Sequence, residues 1–234
     1  MEKPVEGPDS SLESAENSKK TVDVRRKKRV SKKRNTRKAS SLKETRKRVS
    51  RSFPASSFEE TLEFAKAILR VGSGNPVRRL TLFNELEKSP ESGPSRQLIT
   101  NASRYELIRG SYKSEQLELT PDGLRAIDEE SPSRERAKAR IKLAIEDIEI
   151  FKSLYERFVG NKLPARAVLI DAAKELDIDS DAAEEAVDTF VVNLKFVGLL
   201  QTLSGADRIV TVDHFLDTIP AISSFRPKIG SFVF

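Results

Sequence analysis

From Phe53 onward the chain alternates between helical stripes of apolar residues and short polar turns. Phe58, Leu62, Ala65, Ile68 and Leu69 recur at three- and four-residue steps, which predicts a helix capped by Ser56 or Ser57 with Glu59 and Glu60 in its first turn. Gly72-Ser-Gly74-Asn75-Pro76 stops that helix as an ordinary turn, because a phosphate loop would need a lysine that is absent here. A second helix is predicted over about 78–88, with Leu80, Phe83 and Leu86 inward, and Ser89-Pro90-Glu91-Ser92-Gly93 is the turn after it. Pro94 is suited to the first position of a third helix, whose Leu98, Ile99, Ala102 and Tyr105 face a core. Residues 107–112 and 116–120 alternate as two strands around a polar turn, and Thr120-Pro121-Asp122-Gly123 opens a further helix carrying Leu124 and Ile127.

The pattern then starts again. Ser131 to Arg140 reads as a linker grading into one long helix striped by Leu143, Ile148, Phe151, Leu154, Tyr155 and Phe158, which Gly160-Asn161 ends. Pro164 opens a helix to about Leu176, and Asp181-Ala-Ala-Glu184 is the capping box of another that runs to about Phe196. Residues 199–203 and 208–212 flank Ser-Gly-Ala-Asp as a hairpin. The expected fold class is mainly α with small β-hairpin wings, arranged as two domains over 52–129 and 141–212. A linker at 130–140 joins them, and an apolar extension at 213–234 follows.

The order helix, helix, helix, hairpin, closing helix resembles the winged helix-turn-helix superfamily. The residues that carry the resemblance are the helix–turn–helix over 78–106, its tight approach to Leu107-Ile108, and Leu119-Thr-Pro-Asp-Gly-Leu124 leaving the wing. The first domain is also similar to prokaryotic proteins of unassigned function that pair an SFP-type opening with an SP-x-SG-x-SR turn and helix. Tyr105-Glu106-Leu107 stands where that likeness would place Tyr-Gly-Leu, and glutamate tolerates a left-handed turn less well than glycine.

Charge changes the picture because it is unevenly spread. The formal net charge is +6, yet residues 25–51 hold fifteen Lys and Arg against Glu44 alone, a net of +14, while residues 52–234 come to −5. Residues 1–51 lack apolar periodicity and repel themselves, so this segment is expected to be a disordered basic tail. The candidate polyanion ligands within it are Arg25, Arg26, Lys27, Lys28, Arg29, Lys32, Lys33, Arg34, Arg37, Lys38, Arg46, Lys47 and Arg48. Duplex DNA is the leading partner, with RNA as the alternative, since neutralised phosphates release counterions. A solubility tail and, in a eukaryote, a nuclear-import signal are the competing readings.

In winged helices that bind DNA the third helix enters the major groove. Here it offers Ser95, Arg96, Gln97, Thr100, Asn101, Ser103 and Arg104, with Arg78 and Arg79 on the helix before it and Arg109, Tyr112 and Lys113 on the wing. Arg, Gln and Asn are the residue types that bond guanine and adenine edges. The matching helix of the second domain carries Asp181, Glu184, Glu185 and Asp188, which would oppose phosphate. The apolar run Phe190-Val-Val with Leu194-Lys-Phe-Val197 then points either to a protein partner or second copy or to that domain's own core, and the extension is expected to dock on the body or complete a dimer.

Zero cysteines and one histidine, His214, leave no thiolate or His-based metal site and no cysteine nucleophile. No metal or cofactor is expected. His214 lies beside Asp213 and Asp217 without a nucleophile motif, so no enzyme is expected. The sequence shows neither a signal peptide nor an apolar run of bilayer length, which predicts a protein of the cytoplasm and nucleoid, or of the nucleus in a eukaryote. The leading function is a regulatory or architectural DNA-binding protein whose first domain supplies any sequence preference. The alternative is an adaptor whose winged-helix domains bind protein while the tail anchors it to nucleic acid.

Overall fold

Helix α1, Phe58–Gly72, begins where the Ser57 hydroxyl accepts the Glu60 amide and ends at Ser73, which takes the left-handed conformation at φ 48°. The computed structural model describes residues 51–176 and 178–220; the candidate tail ligands from Arg25 to Arg48 and residues 221–234 of the apolar extension lie outside them. After α1 the chain makes a two-residue strand β1, Val77–Arg78, then α2, Arg79–Glu85, and α3, Gly93–Arg104. Strands β2, Ile108–Arg109, and β3, Gln116–Leu119, come next, followed by α4, Pro121–Ile127. Strand β3 lies between β1 and β2 in an antiparallel sheet, pairing Val77 with Leu117 and Ile108 with Leu119.

Strand β1 has no alternating run to announce it, and its presence moves α2. The helix starts at Arg79, so Leu82 and Phe83 turn inward while Leu80, expected in the core, is 63% exposed. Glu106 occupies the left-handed region at φ 54°, and the Leu107 amide reaches back to the Ala102 carbonyl at 3.0 Å. The chain thus keeps the turn a glycine would favour and accepts the strain of a side chain there.

Residues 133–141, expected within a linker and the start of a long helix, form α5, Ser133–Ile141. This helix lies on α4, and the Arg140 side chain donates to the Ala126 carbonyl at 2.8 Å. The expected long helix is interrupted by a π-helical turn, Lys142–Glu146, and by Ile148 in an extended conformation, before α6, Glu149–Phe158. The extra residue per turn lets Leu143, Ala144 and Ile145 all enter the core, as a regular helical stripe would not.

The second half continues with α7, Arg166–Lys174, α8, Ser180–Phe196, the hairpin β4, Leu200–Leu203, with β5, Ala206–Ile209, and α9, Val212–Thr218. The N-cap of α8 is Asp179, whose side chain makes no capping bond; Glu184, expected to close a capping box with Asp181, instead pairs with Arg166 at 3.3 Å. Residues 160–163 bond along β5, through Gly160 to Ile209 and Leu163 to Asp207, both at 2.8 Å. Arg208 bridges to Lys162 in the same stretch. They hold the place against β5 that β1 holds against β3.

The two halves repeat each other in detail. Gly198, at φ 83°, ends α8 as Glu106 ends α3, and the Leu199 amide reaches Leu194 as the Leu107 amide reaches Ala102. The amides of Thr120 and Val210 bond to the Leu107 and Leu199 carbonyls. Thr120 and Thr211 then cap α4 and α9 by accepting the Gly123 and His214 amides.

Residues 52–129 and 141–212 both contribute to one continuous cluster of buried side chains running from Phe53 to Val210. Phe53 meets Phe151 at 6.3 Å between ring centroids, and Phe151 meets Phe190 at 5.9 Å. The architecture is mainly helical, with a small antiparallel sheet in each half.

Candidate nucleic-acid interface

Helix α3 is anchored at both ends by the polar residues that sequence reading placed on its outer surface. Ser95 is 1% exposed; its hydroxyl donates to the Ser89 carbonyl at 2.6 Å and receives the Ser92 hydroxyl at 2.8 Å, closing the turn from α2. Asn101 is equally buried: its Oδ1 accepts the Ala55 amide at 3.1 Å and its Nδ2 donates to the Ser56 hydroxyl at 2.8 Å. Arg104 donates to the Phe53 carbonyl at 2.9 Å, and burial together with nearby Arg51 lowers the pKa of its guanidinium. These groups hold residues 53–56 against α3. Ser95 and Asn101 are therefore corrected from candidate DNA contacts to internal ties, because polar atoms already bonded inside the fold offer nothing to a base edge.

The remaining candidates divide by position. Arg79 is largely covered, donating to the Pro90 carbonyl at 3.2 Å and pairing with Glu91 at 2.8 Å, so it braces the turn before α3. Arg78 is exposed and 3.8 Å from Glu115. Arg96 pairs with Glu91 at 2.6 Å, and the two guanidinium groups hold the Glu91 carboxyl below its ordinary pKa. Thr100 returns its hydroxyl to the Arg96 carbonyl at 2.8 Å. Gln97 and Arg109 are exposed, and Arg109 lies across the ladder from Glu118. In the turn between β2 and β3 the Tyr112 ring has Arg96 at 5.9 Å and Lys113 at 5.8 Å from its centroid, within reach of cation–π attraction.

Facing α3 across a groove of about 1260 Å³ is the start of α8. Gln97, Thr100, Arg104 and Tyr112 line one wall; residues 179–182 and Glu185 line the other, with Arg51 and Ala55 along the edge. Arg51 reaches Glu185 at 2.9 Å. Further along α8, Arg166 bonds Asp188 at 2.8 Å, which draws the Asp188 pKa down and raises its own. Asp181, Glu184, Glu185 and Asp188 thus all lie on exposed surface, and the second third helix is acidic in space as in sequence.

Sequence reading missed the junction between the halves. Asn193 is fully buried on α8; its Oδ1 accepts the Phe58 amide at 2.8 Å, and its Nδ2 donates to the Tyr105 hydroxyl at 3.0 Å and toward the Ala144 carbonyl at 3.4 Å. Tyr105 passes its own proton to the Ser56 carbonyl at 2.8 Å, and burial pushes its phenol pKa up. The available signal was one amide inside the apolar run Phe190-Val-Val-Asn-Leu-Lys-Phe-Val197.

His214 is exposed on α9, and among the described residues no group of three or more His, Cys, Asp or Glu side chains could hold a metal ion. No helix of the described residues is long and apolar enough to cross a membrane.

Two alanine substitutions on α3 separate the internal ties from the surface. Asn101→Ala should cost about 1–3 kcal/mol, because it strands the Ala55 amide and the Ser56 hydroxyl. Gln97→Ala should stay within about 0.5 kcal/mol. Urea titrations of both variants check this; equal stability would show that the Asn101 bonds contribute nothing. No family model, no curated protein and no solved structure matches the chain.

Proposed function

We propose that this chain is a nucleic-acid-tethered adaptor: the basic run over 25–48 holds DNA or RNA, and the body is a tandem winged-helix platform that engages protein. The winged-helix reading is supported by the central position of β3 and β5 in their pairings and by the matched turns and threonine caps of the two halves. The observation that carries the adaptor reading is the placement of α3. Its Ser95 and Asn101 are spent on the fold, and its Gln97 to Arg104 face looks across a groove at Asp179, Asp181 and Glu185. A phosphate backbone brought to that face would meet carboxylates as well as arginines, and like charges in contact oppose binding. The net charge of −5 over residues 52–234 works in the same direction, leaving the sequence-independent attraction to residues 25–51 with their net +14.

The rival reading, base recognition by the first half, draws on the exposed side chains of Arg96 and Gln97 and on the cations of the wing. A mobility-shift comparison separates the two. The full chain should shift duplex DNA and residues 48–234 should not; every buried residue among those described lies between Phe53 and Leu216, so the shorter form keeps all of that core. Selection of a sequence motif by the shorter form would make it a base reader and sink the adaptor reading.

A further inference from the structure

We infer that the groove between α3 and α8 is a docking site for an extended peptide rich in Lys and Arg. This rests on the reading of the body as a protein-binding platform and names the chemistry of its partner.

The two walls of the groove differ. On the α8 wall, Glu185 is engaged by Arg51, while neither Asp179 nor Asp181 forms an ion pair among the described residues. The positive end of α8 offsets only about half a unit charge, so that wall stays negative. On the α3 wall, Arg104 is directed to the Phe53 carbonyl, and Gln97 is exposed with an amide that can both donate to and accept from a peptide backbone. Tyr112 closes one side with a ring that already draws a guanidinium and an ammonium group to within 6 Å of its centroid, at 5.9 and 5.8 Å.

The structure also holds a cationic side chain in this site. Arg51 meets both carboxylate oxygens of Glu185, at 3.0 and 2.9 Å, and Arg51 and Ala55, in a non-helical stretch, both line the groove. A second guanidinium or ammonium group in the same groove would find Asp179 or Asp181. Charge decides between occupants: an acidic peptide or a phosphate backbone would face Asp179 and Asp181, which carry no ion pair among the described residues, whereas a basic peptide gains at both of them and at Tyr112.

The test is fluorescence anisotropy with a labelled peptide of the sequence Arg25 to Lys38, added to residues 48–234 of this chain. Binding should weaken as salt rises. Asp179→Asn with Asp181→Asn should lower affinity at least tenfold, while the equal charge change Glu129→Gln with Glu130→Gln, outside the groove, should lower it less than twofold. Tyr112→Leu should lower it at least threefold. Both aspartates are exposed and Asp179 makes no capping bond, so circular dichroism should show all variants folded. Equal losses in the two charge-matched pairs would reduce the effect to general attraction and overturn the proposal, as would absence of peptide binding. Binding of a dT oligonucleotide that Tyr112→Leu and Gln97→Ala abolish would assign the groove to nucleic acid and overturn it too. A body that shifts no DNA and binds no peptide loses the groove but keeps the adaptor reading; a body that selects a DNA sequence loses the adaptor reading itself.

Discussion

Replacing Asn193 with alanine is expected to destabilise the body by about 3–5 kcal/mol, the range reached when a buried hydrogen-bonding hub is removed. The amide serves three elements at once: the first amide of α1 at Phe58, the Tyr105 hydroxyl beyond α3, and the Ala144 carbonyl in the π-helical turn. Alanine strands the Phe58 N–H in the core, where it has no route to water, at about 1–3 kcal/mol for each group left unpaired. It also opens a space beside the Phe58 and Tyr105 rings, which lie 5.2 Å apart edge to face. Leucine would fill that space without accepting the Phe58 amide, so it should recover only part of the loss. Tyr105→Phe, which removes one hydroxyl and its bond to the Ser56 carbonyl, should cost less, about 1–2 kcal/mol. Denaturant titration of the four proteins gives the ranking, and an Asn193→Ala midpoint equal to wild type would show that the bonds between the halves are not what holds them.

The same residues show where sequence stops being informative. Helices α1, α3 and α4 could be read because their ends are marked by side chains acting locally: Ser57, Ser92 followed by Gly93 and Pro94, and Thr120 followed by Pro121 each satisfy a nearby amide or preset the first turn. Strand β1 is two residues long and exists only because β3 returns beside it, so no local signal could reveal it, and the phase of α2 was lost with it. The π-helical turn likewise answers to packing, since it rotates Leu143, Ala144 and Ile145 together into a core shared by both halves. Polar identity misled in the candidate site for a related reason. Ser95 and Asn101 look like surface residues by type, and only the path of residues 53–56 over α3 makes them internal. The acidity of α8 was legible because four carboxylates within eight positions cannot all be buried. What it faces was not, because the docking of the halves depends on contacts more than a hundred residues apart, such as Asn193 with Phe58.

The largest functional effect should appear in the salt dependence of DNA binding. Residues 25–51 hold a net charge of +14 against −5 for the body, so the long-range attraction to a polyanion resides in the run before Phe53. Each phosphate neutralised releases condensed counterions, and the slope of log affinity against log salt becomes more negative by about 0.9 for each contact on duplex DNA. If about six of the cations engage phosphates, the full chain should have a slope near −5, and raising salt from about 50 to 200 mM should weaken it roughly a thousandfold. Changing Arg25, Arg26, Lys27, Lys28, Arg29, Lys32, Lys33, Arg34, Arg37 and Lys38 to glutamine removes ten positive charges without altering any described residue. That variant should lose most of its affinity at low salt and nearly all of its salt dependence, while its melting temperature stays within about a degree of wild type, because every buried side chain among the described residues lies at or beyond Phe53. Filter binding across a salt series measures both quantities. A slope that survives the ten substitutions would place the phosphate contacts on the cations left in place, and Lys43, Arg46, Lys47 and Arg48, then the exposed Arg78, Arg96, Arg109 and Lys113, would be the residues to change next.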